Sequence, residues 1–348
     1  MLAVLVTFGL SACEPFSQPE SMFDEYVKRV ARVLDVEAVL TSPGLPPELP
    51  RRRERGRTIA PIEMSMLDFL ALYGCELQHV VGERNSSLGK VMHPASLLDY
   101  ELRFLRSATD CLASISSGSV RDKLTDVIAR KRLALPDAVW NAVWISPEIE
   151  NLFTRSRGPL GVDLDQNAMS EMEGALTLLI VALRRMESGD LGVDYKAFDP
   201  VYRRWQVQPL AGQLLQSAVL TTHRLNDAAM IVESRLGDRP LCHKGRGNRQ
   251  AEIMRSMFLS VYIGHVQPYI AAVQRSRQAL LPHLRALAEL PGADPNGAVE
   301  RYALQAFGEQ AEYGIWADFD QTVRRHTLAW QRLLDQCGMR PGQDAPSR

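Results

Sequence analysis

NRQAEIMRSMFLSVYIGHVQPYIAAVQRSRQALLPHLRALAEL (residues 248–290), PGADPNG (291–297) and AVERYALQAFGEQAEYGIWADFDQTVRRHTLAWQRLLDQ (298–336) follow one another through the last third of the chain. Each long stretch repeats apolar residues at three- and four-residue spacing, the period of one helical face. Between them, Pro291, Gly292, Pro295 and Gly297 break the helical pattern, so a short connection joins two helices of similar length. Such a connection makes them antiparallel neighbours. Pro268 and Pro282 are predicted to kink the first, because each lacks an N–H and crowds the carbonyl one turn back.

The same period recurs upstream. Phe23, Val27, Val30 and Leu34 share a face over about 19–40, with Lys28, Arg29, Arg32 and Glu37 off it. A second helix is predicted over about 62–81 through Met66, Phe69, Leu70, Tyr73 and Leu77, and Ser96 with Asp99 reads as the capped start of a third that reaches about 115. Ser119 opens a fourth through Val127, Ile128 and Leu133, and 137–145, with Trp140 and Trp144, forms a short fifth. After a loop-rich stretch at Pro147, Gly158, Pro159 and Gly161, helices are predicted over 165–187 and 199–236, the latter bent near Pro209. Pro43, Pro46, Pro47, Pro50 and Pro61 make 42–61 a Pro/Arg-rich loop around Arg51-Arg52-Arg53-Glu54-Arg55-Gly56-Arg57. There is no strand ladder and no fixed repeat. The predicted class is all-α: one multi-helix bundle-like domain over 21–337 with a long C-terminal antiparallel helical hairpin, followed by a flexible tail at 338–348.

With 46% hydrophobic and 23% charged residues and a net charge of -1, the chain has ordinary globular composition and no basic excess for nucleic acid. Its first residues are unusual. Leu2 to Leu10 is apolar except for Thr7 and Gly9, and about nine residues are too few to span roughly 30 Å of hydrocarbon but suit a secretion signal. Leu10-Ser11-Ala12-Cys13 resembles a bacterial lipobox, although no Lys or Arg precedes the apolar stretch. The expectation is a signal peptide at 1–12, a diacylated Cys13, a tether at 13–20, and a body facing the periplasm. Glu14 after the cysteine resembles lipoproteins sorted to the outer membrane.

Beyond Cys13, four cysteines remain, an even set for an oxidising compartment. They allow three pairings. Cys242 precedes the first long helix of the last third and Cys337 follows the second, so antiparallel packing brings Cys242 to Cys337 and leaves Cys75 for Cys111.

Chemistry-bearing residues gather most densely in Glu83, Arg84, Asn85, Ser86, Lys90 and His93, a candidate polar site. It is no phosphate loop, because six residues separate Gly82 from Gly89 and Val91 stands where Ser or Thr is needed. His79, His93, His223, His243, His265, His283 and His326 never form His-Glu-x-x-His, and surface or capping roles are expected of them. Gly-x-Ser-x-Gly is absent, so no catalytic residue, metal site or cofactor is assigned. The Arg51 to Arg57 run is expected to be solvated, with anionic lipid headgroups as its alternative ligand. Trp140, Trp144, Trp205, Trp316 and Trp330 sit at apolar helical positions and are expected in the core.

Leu10 to Cys13, Glu83-Arg84-Asn85-Ser86-Ser87-Leu88-Gly89-Lys90-Val91, Tyr100-Glu101 and Gln336-Cys337-Gly338 together resemble an uncharacterised gamma-proteobacterial lipoprotein family with a domain of unknown function, over nearly the whole chain. The resemblance implies the compartment and a single domain, and no reaction. The expected role is a membrane-anchored periplasmic binding or envelope-maintenance protein, non-enzymatic, with an envelope protein as partner. A periplasmic hydrolase using the turn from Arg84 to His93, and a lipid carrier with an apolar tunnel, are the alternatives.

Overall fold

The computed structural model describes residues 16–62, 65–115, 118–243, 245–291, 297–308 and 314–339. The expected signal peptide, Cys13 and nearly all of the expected tail lie outside them. The fold is all-α, and its isolated backbone bridge between His243 and Arg246 belongs to no strand. In chain order the helices are α1 (Pro19–Leu34), α2 (Arg52–Arg55), α3 (Met66–Leu70), α4 (Glu76–Asn85), α5 (Pro94–Ser114), α6 (Ser119–Trp144) and α7 (Pro147–Leu152). They continue as α8 (Gln166–Glu187), α9 (Asp199–Val207), α10 (Leu210–Asp238), α11 (Arg249–Met257), α12 (Gln267–Ala288), α13 (Ala298–Phe307) and α14 (Ile315–Gln336). No helix among the described residues is long and apolar enough to cross a membrane.

α10 is the axis. It buries residues on most of its circumference, Leu214, Leu215, Ala218, Leu225, Ala228 and Val232 among them, and α14 and α1 pack along it. Gly212 lets the backbone of Phe153 and Thr154 approach so closely that a β-carbon would collide with it. α5 and α6 form a second antiparallel pair, and α8 bridges to it from α12. All five tryptophans are buried, as expected for core residues.

Several boundaries differ from expectation for tertiary reasons. α1 ends at Leu34 rather than near 40: Asp35 takes a left-handed φ of 53°, and the Val36 N–H turns back to Ala31 O at 3.1 Å. The following loop is captured by α10, where Thr41 N–H and Oγ1–H both donate to the Asp227 carboxylate. The expected tether is shortened too, since Pro19 and Glu20 form the first turn of α1 and Phe16 stacks on His265. The second predicted helix is split into α3 and α4 around Gly74 (φ 89°). α5 begins at Pro94, capped by His93 Nδ1 accepting the Ala95 N–H, so Ser96 is not its cap. α6 runs unbroken through Pro136, because Leu135, Ala138, Val139 and Trp140 continue its buried face across the proline.

The last third carries the largest departure. Between α11 and α12, residues Phe258–Val266 form a π-helix, where the predicted kink at Pro268 would begin. Carbonyl bonds reaching five residues widen the turn that the Pro268 ring would otherwise crowd. The second long pattern is broken after Phe307, giving α13 and α14. α14 runs antiparallel to the stretch from α11 to α12: Arg277 pairs with Asp320 (2.9 Å), Tyr262 meets His326 (4.8 Å) and Phe258 meets Trp330 (4.7 Å). Its most extensive packing is nevertheless against α10.

Disulfides join Cys75 to Cys111 and Cys242 to Cys337. The first ties the start of α4 to the end of α5, and the second closes the far end of the α11–α14 arrangement. In the loop-entropy model they restrict the unfolded chain by about 4 and about 5 kcal/mol respectively.

Two polar clusters sit in this core. Arg224 donates to Asp24 (2.7 Å), to Thr41 O (2.5 Å) and to the fully buried Asp227 (3.1 Å), joining α1, the loop and α10. His326, expected at the surface or in a capping role, is fully buried. The Tyr26 hydroxyl donates to its Nε2 at 2.7 Å, and Trp330 Nε1–H reaches both the Tyr26 oxygen (2.9 Å) and that Nε2 (3.1 Å).

Candidate functional site

α4, α5 and α6 line a solvent-open cavity of about 750 Å³. One face of α6 supplies Val127, Lys131, Ala134, Ala138 and Asn141, with Ile145 just past its end, alternating four and three residues apart as helical geometry requires. α5 contributes Pro94, Leu97, Glu101 and Phe104, and the end of α4 contributes Val81, Arg84 and Asn85. Segment 59–62, with Phe69 of α3, makes the fourth wall.

That wall is held by two members of the arginine run, Arg55 and Arg57, which are buried and not solvated as expected. Residues Arg52–Arg55 wind into α2, and Arg55 and Arg57 are 2% and 7% exposed. Arg55 donates to Pro50 O (2.8 Å) and pairs with Glu150 (2.7 Å); burial lowers its pKa, and Glu150 opposes that shift. The Arg57 guanidinium lies 3.9 Å from the Trp140 ring centroid, reaches Asp137 at 3.3 Å and donates to Pro291 O at 3.1 Å. Its own N–H and C=O are both bonded at 2.9 Å by the Asn141 side-chain amide. Arg51, Arg52 and Arg53 remain exposed.

Inside the cavity, Lys131 Nζ sits 2.6 Å from Glu101 Oε2 and 4.6 Å from the Phe104 ring centroid, an ion pair resting on an aromatic wall. Burial, aided by Glu101, pushes the neighbouring Tyr100 hydroxyl well above its ordinary pKa, so it stays neutral. Arg84 and Lys90 are in excess over this pair, leaving the lining net positive.

Arg84 donates to Gly89 O, and Ser86 Oγ donates to Glu83 O (2.7 Å) while accepting the Gly89 N–H (3.0 Å). This folds the turn over the carbonyl end of α4. A β-carbon on Gly89 would fall within van der Waals contact of the Glu83 and Arg84 carbonyls, which are backbone and cannot swing away. Gly89→Ala is therefore expected to cost about 1–3 kcal/mol, read as a lower urea midpoint, whereas an unchanged midpoint would show that the turn yields.

The six predicted site residues do not converge. Arg84, Asn85 and Lys90 line the cavity. Glu83 points to Arg103 (2.7 Å), whose hydrogen bond holds the carboxyl below its usual pKa, and Ser86 is spent within the turn. His93 caps α5 and donates from Nε2 to Glu148 (2.9 Å), which also accepts from Gln206 (3.0 Å). That donor assignment follows from Nδ1 already accepting the Ala95 N–H. Lys131, Glu101 and Asn141 were missed as site residues. Their signal was present: each interrupts an otherwise apolar helical stripe, a position where a polar side chain needs a partner.

On α3 and in the turns on either side of α4, Met66, Leu67, Leu70, Tyr73, Leu88 and Val91 are exposed. Among the described residues no group of three His, Cys, Asp or Glu is placed to hold a metal ion.

No curated protein and no solved structure matches the chain. A family model matches residues 23–341, which takes in every helix lining the cavity and both disulfides, and the chain therefore belongs to the family described as "Protein of unknown function (DUF3080)".

Proposed function

We propose that this is a lipoprotein of the bacterial cell envelope, facing the periplasm from the outer membrane through a lipid on Cys13, and that its helical body is a binding protein. The α4–α5–α6 cavity is its site, and the ligand is an amphipathic anion. The carrying observation is the combination of apolar walls with an excess of cations, Arg84 and Lys90, in a space of ligand size. The lipobox, the resemblance to gamma-proteobacterial lipoproteins and the use of four cysteines in cross-links support the exported setting. The hydrolase alternative finds less support: the described lining has no Ser, Cys, His or Asp, and its Glu101 is already paired with Lys131, so no nucleophile meets a base there.

The test uses 1-anilinonaphthalene-8-sulfonate, an anionic amphiphile, as the probe. A saturable fluorescence gain is expected, competed by dodecyl phosphate, abolished by Ala134→Trp and weakened about fivefold by Lys90→Ala. Undiminished binding in Ala134→Trp, in a chain that still folds by circular dichroism, overturns the cavity as the site.

A further inference from the structure

We infer that the face formed by α1 and the π-helix lies against a phospholipid bilayer, an inference that rests on the reading of Cys13 as the acylated residue. Phe16 stacks on His265 of the π-helix at 4.3 Å, and the Arg29 guanidinium lies 5.3 Å from the same ring centroid. Three residue steps separate Cys13 from Phe16, a reach of at most about 10 Å. A lipid on Cys13 therefore holds the headgroup layer within reach of the Phe16–His265 contact, at one end of this face.

The surface there suits that layer. α1 lies antiparallel to α11 and the π-helix, with Gln250 bonded to Val33 O (2.9 Å) and Tyr26 against Tyr262 (5.7 Å). Along α11 and the π-helix, Arg255, Leu259 and Ile263 follow at four-residue steps, and Leu259 and Ile263 are 47% and 39% exposed. On α1, Lys28 and Arg32 are exposed and Arg29 is half-buried beside Glu25, offset in part by the exposed acids Glu20 on α1 and Glu252 on α11. Apolar side chains flanked by cations are the composition of surfaces that settle at the headgroup–acyl boundary, where each cation also draws anionic lipid.

The experiment uses the mature acylated chain on vesicles of phosphatidylethanolamine with phosphatidylglycerol. The four body cysteines are bridged and Cys13 carries lipid, so Leu259→Cys offers one thiol for a nitrobenzoxadiazole dye, and Leu178→Cys on α8 is the exposed control. On vesicles the dye at 259 is expected to shift to the blue, gain intensity several-fold and be quenched by a lipid-borne quencher, while the dye at 178 does not change. A chain that floats with vesicles but keeps the dye at 259 in water overturns the inference alone. A chain that fails to float overturns the acylation reading as well. A blue shift that appears without vesicles and grows with protein concentration assigns the face to a second copy and overturns the bilayer.

Discussion

Asp227→Ala is expected to destabilise the protein by about 3–5 kcal/mol, the usual loss when one member of a buried ion pair is removed. The carboxylate is wholly buried and accepts three hydrogen bonds, from Thr41 Oγ1–H at 2.8 Å, Thr41 N–H at 3.1 Å and Arg224 at 3.1 Å, with Arg224 in turn holding Asp24 and Thr41 O. Alanine leaves a guanidinium and an amide in the core without that acceptor, and frees the loop that α10 captures. Urea unfolding should show a lower midpoint with an unchanged slope. Asp227→Asn keeps an acceptor oxygen and should lose less. Equal losses in the two variants would mean that the charge, and not the hydrogen bonding, carries the effect.

Acid should weaken the fold through His326. Burial lowers its pKa from 6.5 to about 3, so the folded core holds it neutral while the unfolded chain accepts a proton. Because the folded value is the lower one, the unfolded state binds more protons below 6.5; stability is complete above that pH and declines toward pH 3, at up to about 1.4 kcal/mol per pH unit. The geometry agrees: Nε2 accepts from Tyr26, and Nδ1 has no hydrogen-bond partner, so neither nitrogen offers an added proton an anion to meet. His326→Phe removes the titrating group and should flatten the decline measured by urea midpoints between pH 6.5 and 4.5. Parallel slopes for the native chain and the variant would acquit His326.

The helical class was legible because apolar spacing is a local property. Met169, Met172, Leu176, Leu179, Ile180 and Leu183 all face inward on α8, and Asp165 caps it. The boundaries were less legible where a distant group decides them. Nothing near Asp35 announces that Asp227, 192 positions later in the numbering, will take the following loop, and Pro136 reads as a break until the buried face on both sides of it is seen. The site was half visible for the same reason. Arg84, Asn85 and Lys90 are close in sequence and stand out as a polar group, but Lys131 and Glu101 become partners only when α5 and α6 lie side by side. Arg55 and Arg57 show the reverse error: a charged run looks solvated until Trp140, Asp137 and Glu150 come to meet it.

Arg57 has a mechanical side. Its guanidinium is the rivet through three parts at once: the wall at 59–62 that continues from it, α6 at Asp137 and Trp140, and the chain leaving α12 at Pro291. The start of that wall is therefore pinned to the chain leaving α12 as well as to α6, so a guest bulky enough to displace Arg57 would break both attachments at once.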